Sequence, residues 1–180
     1  MKFNPKSFLD KSYIYMWGSF KEEILNEAVE IENVPELKWK TYDLKKELND
    51  FEIEKELPNC VFEDVSKFCA YLYDLIEKQK NGETGAMLNN GYANIFYIKV
   101  NGGVFTVSVY WRAGVSLWYV SAYSRDDFRW NAGGRAFSAT AESQALGSSD
   151  LLKLGNLGTL EKRVEKLEKI LEHYNLKVKE

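Results

Sequence analysis

The chain has 180 residues, of which 45% are hydrophobic and 28% charged, and its net charge is −3. That composition fits one folded domain with appendages and excludes a disordered chain. The small net charge argues against a whole surface built for nucleic acid or membrane, and no apolar run is long enough to cross a bilayer as a helix.

Lys2 and Lys6 are not followed by an apolar stretch, so no secretory leader is expected and the chain reads as cytoplasmic. Cys60 and Cys69 fall in a region expected to be helical. On one helix they would lie roughly 13 Å apart, too far to pair, so both are expected as buried, reduced thiols. His173 is the single histidine, which removes most histidine triads and His-rich metal sites.

Charge divides the chain into three blocks. Residues 1–91 carry 12 Lys, no Arg and 18 acids, residues 92–137 carry 1 Lys, 4 Arg and 2 acids, and residues 138–180 balance at zero. The first block reads as mostly helical. Ser19 and Glu22 fit a capping box, followed by a helix over 20–31 with Ile24, Leu25, Ala28 and Ile31 on one face. Thr41 could cap a second short helix carrying Leu44 and Leu48. The stretch 51–57 fits either an edge strand or more helix. A stronger helix is expected over 61–80, from Val61, Val65, Phe68, Leu72, Leu75 and Ile76, and Asn81-Gly82 stops it.

In the second block the period changes from 3.6 to 2. Phe96, Ile98 and Val100 share one side of a strand, and Asn101-Gly102-Gly103 marks a turn. Next, Phe105, Val107, Val109 and Trp111 face one way while Thr106, Ser108 and Tyr110 face the other. A third strand is expected over 117–124, and the segments 128–132 and 135–138 could close the sheet as a hairpin or a bulged strand. Residues 141–158 are small and polar and read as a linker.

From Leu160 the apolar spacing is strict. Leu160, Val164, Leu167, Leu171, Tyr174 and Val178 form a heptad seam capped by Thr159, and a helix this short needs association or docking to be stable. A homodimer or homotrimer through this helix is expected.

The fold class expected is therefore α+β: an antiparallel meander of three to five strands packed on N-terminal helices, with a C-terminal coiled-coil helix. The expected domains are an α+β unit over 1–140 (helical over 1–91, β-rich over 92–140), the linker, and the coiled coil over 159–180.

Function is argued from one cluster. Arg112, Arg125, Arg129 and Arg135 are four of five arginines, and Trp111, Trp118 and Trp130 share their stretch. Arginine serves where a planar bidentate donor or a stacking cation is needed, and tryptophan beside it suits cation–π contact or a hot spot. In one reading the aromatics are sheet core and the arginines pair with Asp126 and Asp127 or cover rings. In another, Arg112, Arg125, Arg129 and Arg135 contact acids or phosphates while Trp118, Tyr123 and Trp130 supply apolar area. A single-stranded nucleic-acid platform is the third, and a weaker one with so small a positive balance.

No phosphate loop, dinucleotide fingerprint, zinc-binding pattern or nucleophile elbow occurs. Asp126-Asp127 lacks calcium-loop spacing, so neither a metal site nor a cofactor is expected. The leading expectation is a non-catalytic binding or adaptor protein. It would offer the Arg/Trp sheet face to a protein or an anionic ligand, away from membrane, and be multiplied by the C-terminal helix. The alternatives are an enzyme using arginines and carboxylates on an anionic substrate, and a nucleic-acid binder.

Overall fold

The computed structural model describes residues 2–125 and 129–139. It begins with helix α1 (Lys6–Leu9), strand β1 (Ile14–Met16), helix α2 (Gly18–Glu23) and a 3-10 turn (Leu25–Glu27). Strands β2 (Trp39–Asp43) and β3 (Leu48–Asn49), helix α3 (Asp50–Glu56), strand β4 (Val61–Phe62) and helix α4 (Val65–Glu77) follow. The later strands are β5 (Asn94–Val100), β6 (Gly103–Arg112), β7 (Leu117–Ser124), β8 (Arg129–Trp130) and β9 (Arg135–Ala139).

Seven strands form one mixed sheet in the order β1-β7-β6-β5-β9-β2, with β4 also paired to β5, and β3 and β8 form a separate two-stranded ladder. The pairs β1/β7, β4/β5 and β5/β9 are parallel. The pairs β5/β6, β6/β7 and β2/β9 are antiparallel. This overturns the expected antiparallel meander on a helical N-terminal block. The N-terminal block instead supplies β1, β2 and β4 to the sheet, and among its described helices only α4, with 13 residues, is longer than seven. The expected linker and coiled coil over 141–180 lie outside the described residues.

The physical reasons are local. The capping box assigned to Ser19 does not form: Trp17 is the N-cap of α2 without a side-chain bond, and Ser19 Oγ instead accepts from the Ala122 amide at 3.4 Å. Helix α2 ends at Glu23, and the chain leaves the 3-10 turn extended at Ala28. Thr41 does not cap a helix either, because it sits mid-strand opposite Phe137 in the β2/β9 ladder. The capping box belongs to α3. There Asn49 Oδ1 accepts from the Glu52 amide at 2.8 Å, and Glu52 Oε2 accepts from the Asn49 amide at 2.9 Å. Asp64 caps α4 by accepting from the Lys67 amide at 2.9 Å, which starts that helix four residues later than its apolar spacing implies.

The end of the sheet also differs from the expected hairpin. Gly133 takes a φ of +96°, open to glycine but costly to most residues. It sits in a turn where the Gly133 amide donates to the Leu44 carbonyl and the Leu44 amide to the Gly134 carbonyl, both at 2.8 Å. Strand β8 is thereby turned onto β3, while β9 enters the sheet between β5 and β2.

Strand alternation divides the core between the two faces of the sheet. On the first face Phe96, Ile98, Val107, Val109, Trp111, Trp118, Val120 and Phe137 pack with Phe68, Cys69, Leu72, Leu75 and Ile76 of α4 and with Phe8 and Phe20 of α1 and α2. On the second face a smaller cluster joins Ile95, Tyr97 and Ala136 to Leu48, Ile53, Leu57, Cys60 and Trp130. Helix α3 and its flanks thus cover the β5/β9 side of the second face. Cys60 precedes β4 while Cys69 is on α4, so the two cysteines do not share a helix; both are unpaired and buried. Desolvation by burial pushes the Cys60 thiol up to about 12.

Candidate binding face

Beyond α3, the second face of the sheet carries tyrosines. Alternation puts Thr106, Ser108 and Tyr110 of β6 on this side with Tyr119, Ser121 and Tyr123 of β7. The ladder sets Tyr110 opposite Tyr119, Ser108 opposite Ser121, and Thr106 opposite Tyr123. Parallel pairing of β1 with β7 sets Tyr15 beside Tyr119. The rings form a row across three strands: Tyr110 and Tyr119 stack at 5.4 Å, Tyr119 and Tyr15 lie 4.8 Å apart, and Tyr15 meets Trp17 edge-on at 5.7 Å. Arg112 places its guanidinium 5.1 Å from the Tyr119 ring centroid. Tyr15, Trp17 and Tyr123 remain 44%, 50% and 53% exposed.

The row runs into a cavity of about 290 Å³, lined among others by Tyr92, Ser108, Tyr110, Tyr123, Arg129, Trp130 and Asn131. Two of its walls are held from outside. The Trp130 indole donates to Asp50 Oδ1 at 2.7 Å, and Asp50, only 1% exposed, also accepts from the Tyr97 hydroxyl and the Thr106 hydroxyl, each at 3.0 Å. Desolvation first, then the negative charge of Asp50, pushes the Tyr97 phenol up. The Tyr92 ring rests on Gly133, where an added Cβ would stand 2.9 Å from it. Beneath the tyrosines the Ser121 hydroxyl, in a side chain 2% exposed, has no hydrogen-bond partner.

The arginines mostly turn to carboxylates of the acidic N-terminal block. Arg125 pairs with Glu54 at 2.9 Å and stacks 4.7 Å from the Phe51 ring. Arg129 pairs with Glu47 at 2.5 Å and Glu52 at 3.5 Å. Arg135 grips both oxygens of Asp43, at 2.6 and 3.1 Å, and donates to the Ala86 carbonyl at 2.9 Å. The hydrogen bond from Arg135 holds the Asp43 carboxyl below its ordinary value. The charge contrast between blocks therefore works inside the fold: three arginines of the positive block tie the 43–54 segment to the end of the sheet.

The expected site residues do not all gather. Tyr123, Arg129 and Trp130 meet at the cavity, and Arg112 borders the tyrosine row. Arg125 and Arg135 are engaged with acids beside them. Trp118 is on the opposite face, wholly buried, its indole donating to the Gln79 carbonyl at 2.7 Å. Asp126 and Asp127 lie outside the described residues, as do Leu160, Val164, Leu167, Leu171, Tyr174 and Val178. Tyr15, Trp17, Tyr92, Ser108, Tyr110, Tyr119 and Asn131 join the face or its cavity although they do not belong to the arginine–tryptophan cluster. The alternation that set Ser108 and Tyr110 apart from Val107 and Val109 was the available signal for part of that set. Nothing local tied Tyr15 to it.

Among the described residues no group of three His, Cys, Asp or Glu side chains is placed to hold a metal, and no helix is long and apolar enough to cross a membrane. No known family model, curated protein or solved structure matches the chain.

Proposed function

We propose that this chain is a non-catalytic binding protein whose recognition surface is the tyrosine row and the cavity it enters. The observation that carries the reading is the row itself. Three tyrosines from three adjacent strands, with Trp17 just after β1, stand side by side on the part of the sheet that no helix covers among the described residues, half of the four strongly exposed. Aromatic rings supply contact area at low entropic cost, and clusters of them beside a concavity are the usual makings of a ligand or partner site. The recognition element is thus ring area; the arginines chiefly position the wall around it.

Two further parts of the reading rest on sequence. Copies associate through the heptad at Leu160 to Val178, so that weak contacts gain avidity. The chain works in the cytoplasm, where the two buried, unpaired thiols would stay reduced.

The test is a ligand-observed NMR screen of the full chain against small neutral sugars, nucleosides, aromatic acids and phosphate, repeated on Tyr119→Ala. Binders that lose their signal in the variant, at an unchanged unfolding midpoint, support the reading. A screen without binders, or binders indifferent to Tyr119, would reject it.

A further inference from the structure

We infer that the cavity at the end of the tyrosine row takes a neutral, hydroxyl-rich ring, that is, a single sugar unit of a glycan. This rests on the binding-face reading above and names its ligand class.

Charge argues first. The cation at the cavity is Arg129, and Glu47 and Glu52 stand against it at 2.5 and 3.5 Å. An anion entering the site would have to compete with two carboxylates already in place, and a phosphate gains little from a guanidinium so engaged. Charge complementarity therefore favours a neutral occupant over the anionic one expected from the arginine count.

The walls argue next. Tyr92, Tyr110, Tyr123 and Trp130 share the lining with the hydroxyl-bearing Ser108 and the amide-bearing Asn131, and Arg129, already engaged with acids, is the charged residue of that lining. A pyranose has that mixture: C–H faces that lie against rings, and an equator of hydroxyls that both donate and accept. At about 290 Å³ the cavity falls just below the range of about 300–1,000 Å³ usual for ligand sites, a size for one ring rather than several.

Rigidity completes the argument. The Trp130 wall is held by Asp50, the Arg129 side chain is paired with Glu47, and the Tyr92 ring lies over Gly133. A site whose walls are already ordered loses little freedom on binding, which matters most for a ligand with only weak contacts to offer.

The experiment titrates the full chain by calorimetry and saturation-transfer NMR with methyl glucoside, methyl galactoside and N-acetylglucosamine. Uridine, adenosine, glucuronate and inorganic phosphate are run alongside. At least one neutral sugar is expected to bind saturably, and glucuronate is expected to bind no more tightly than methyl glucoside. Tyr123→Ala and Asn131→Ala should each weaken the sugar about tenfold with the unfolding midpoint held, Asn131→Ala serving where Tyr123→Ala fails to fold. Binding confined to nucleosides or to the anions would overturn the sugar inference and leave the binding face standing. No binding by any class would overturn both.

Discussion

Replacing Asp50 with alanine should loosen the whole second face of the sheet. The carboxylate is buried and accepts from the Trp130 indole at 2.7 Å and from the Tyr97 and Thr106 hydroxyls at 3.0 Å. These donors come from β8, β5 and β6, so one side chain at the start of α3 joins that helix to three strands. Alanine leaves buried donors without this acceptor, each costing about 1–3 kcal/mol, and entering water recovers part of that sum. A loss of about 3–5 kcal/mol is expected, in line with removing one member of a buried polar network. A domain of this size has about 5–15 kcal/mol in hand. Its midpoint should therefore fall by about 6–20 °C, at roughly 2–4 °C per kcal/mol. Asp50→Asn keeps one acceptor oxygen and turns an amide toward Thr106, whose hydroxyl can accept, so its cost should stay near about 1–2 kcal/mol. Chemical denaturation followed by circular dichroism and by tryptophan fluorescence reads both variants. An Asp50→Ala protein within about 1 kcal/mol of the parent would refute the claim that this carboxylate docks α3 and Trp130.

Other expectations follow from the same structure. Gly82 has a φ of +74°, and an added Cβ would stand 2.2 Å from the Trp111 ring in the core. Gly82→Ala should therefore cost about 2–4 kcal/mol by thermal unfolding, and a neutral result would refute that packing. Burial pushes the Glu77 carboxyl up, but hydrogen bonds from Tyr13, Tyr73 and Lys11 outweigh it and hold the group at about 2, below its ordinary 4.5. Its stabilising contribution is thus complete above pH 4.5 and is lost as pH falls toward 2. Glu77→Gln should flatten the acid limb of a stability–pH curve, and an unaltered limb would contradict the assignment. Arg129→Ala removes an exposed ion pair and should shift stability by less than about 1 kcal/mol, so a collapse in denaturant titration would mean the pair anchors the fold. Leu167→Asp in the heptad should convert an oligomer to a folded monomer by light scattering; an unchanged mass would remove that route to association.

Legibility followed the length and locality of each signal. Strands β5, β6 and β7 span seven to ten residues, β6 and β7 with clear alternation and β5 as an apolar run buried on both faces, and α4 runs 13 residues with a marked apolar face, so the sequence exposes all four. Strands β1, β2 and β4 have three, five and two residues, too few for a period to emerge. Thr41 reads as a helix cap in isolation, and only its ladder with Phe137 makes it a strand residue. Parallel pairing is equally invisible locally, because Tyr15 and Tyr119 become neighbours through β1 and β7, which are more than 100 residues apart. The arginine cluster is real in sequence, but its meaning depends on carboxylates far back in the chain. Arg129 meets Glu47 and Arg135 meets Asp43, and neither acid stands beside its arginine in the sequence. Residue type could show that these arginines need planar acceptors, but only the fold shows that the acceptors are internal.

The most direct test of the binding face is a titration followed at the tryptophan indole protons, using the strongest binder from the screen. Trp17 stands at the outer end of the tyrosine row and Trp130 lines the cavity, while Trp118 is buried on the opposite face against α4. The account predicts saturable shifts at Trp17 or Trp130, none at Trp118, and loss of those shifts in Tyr119→Ala. Shifts at Trp118 alone, or a response that Tyr119→Ala leaves intact, would contradict it.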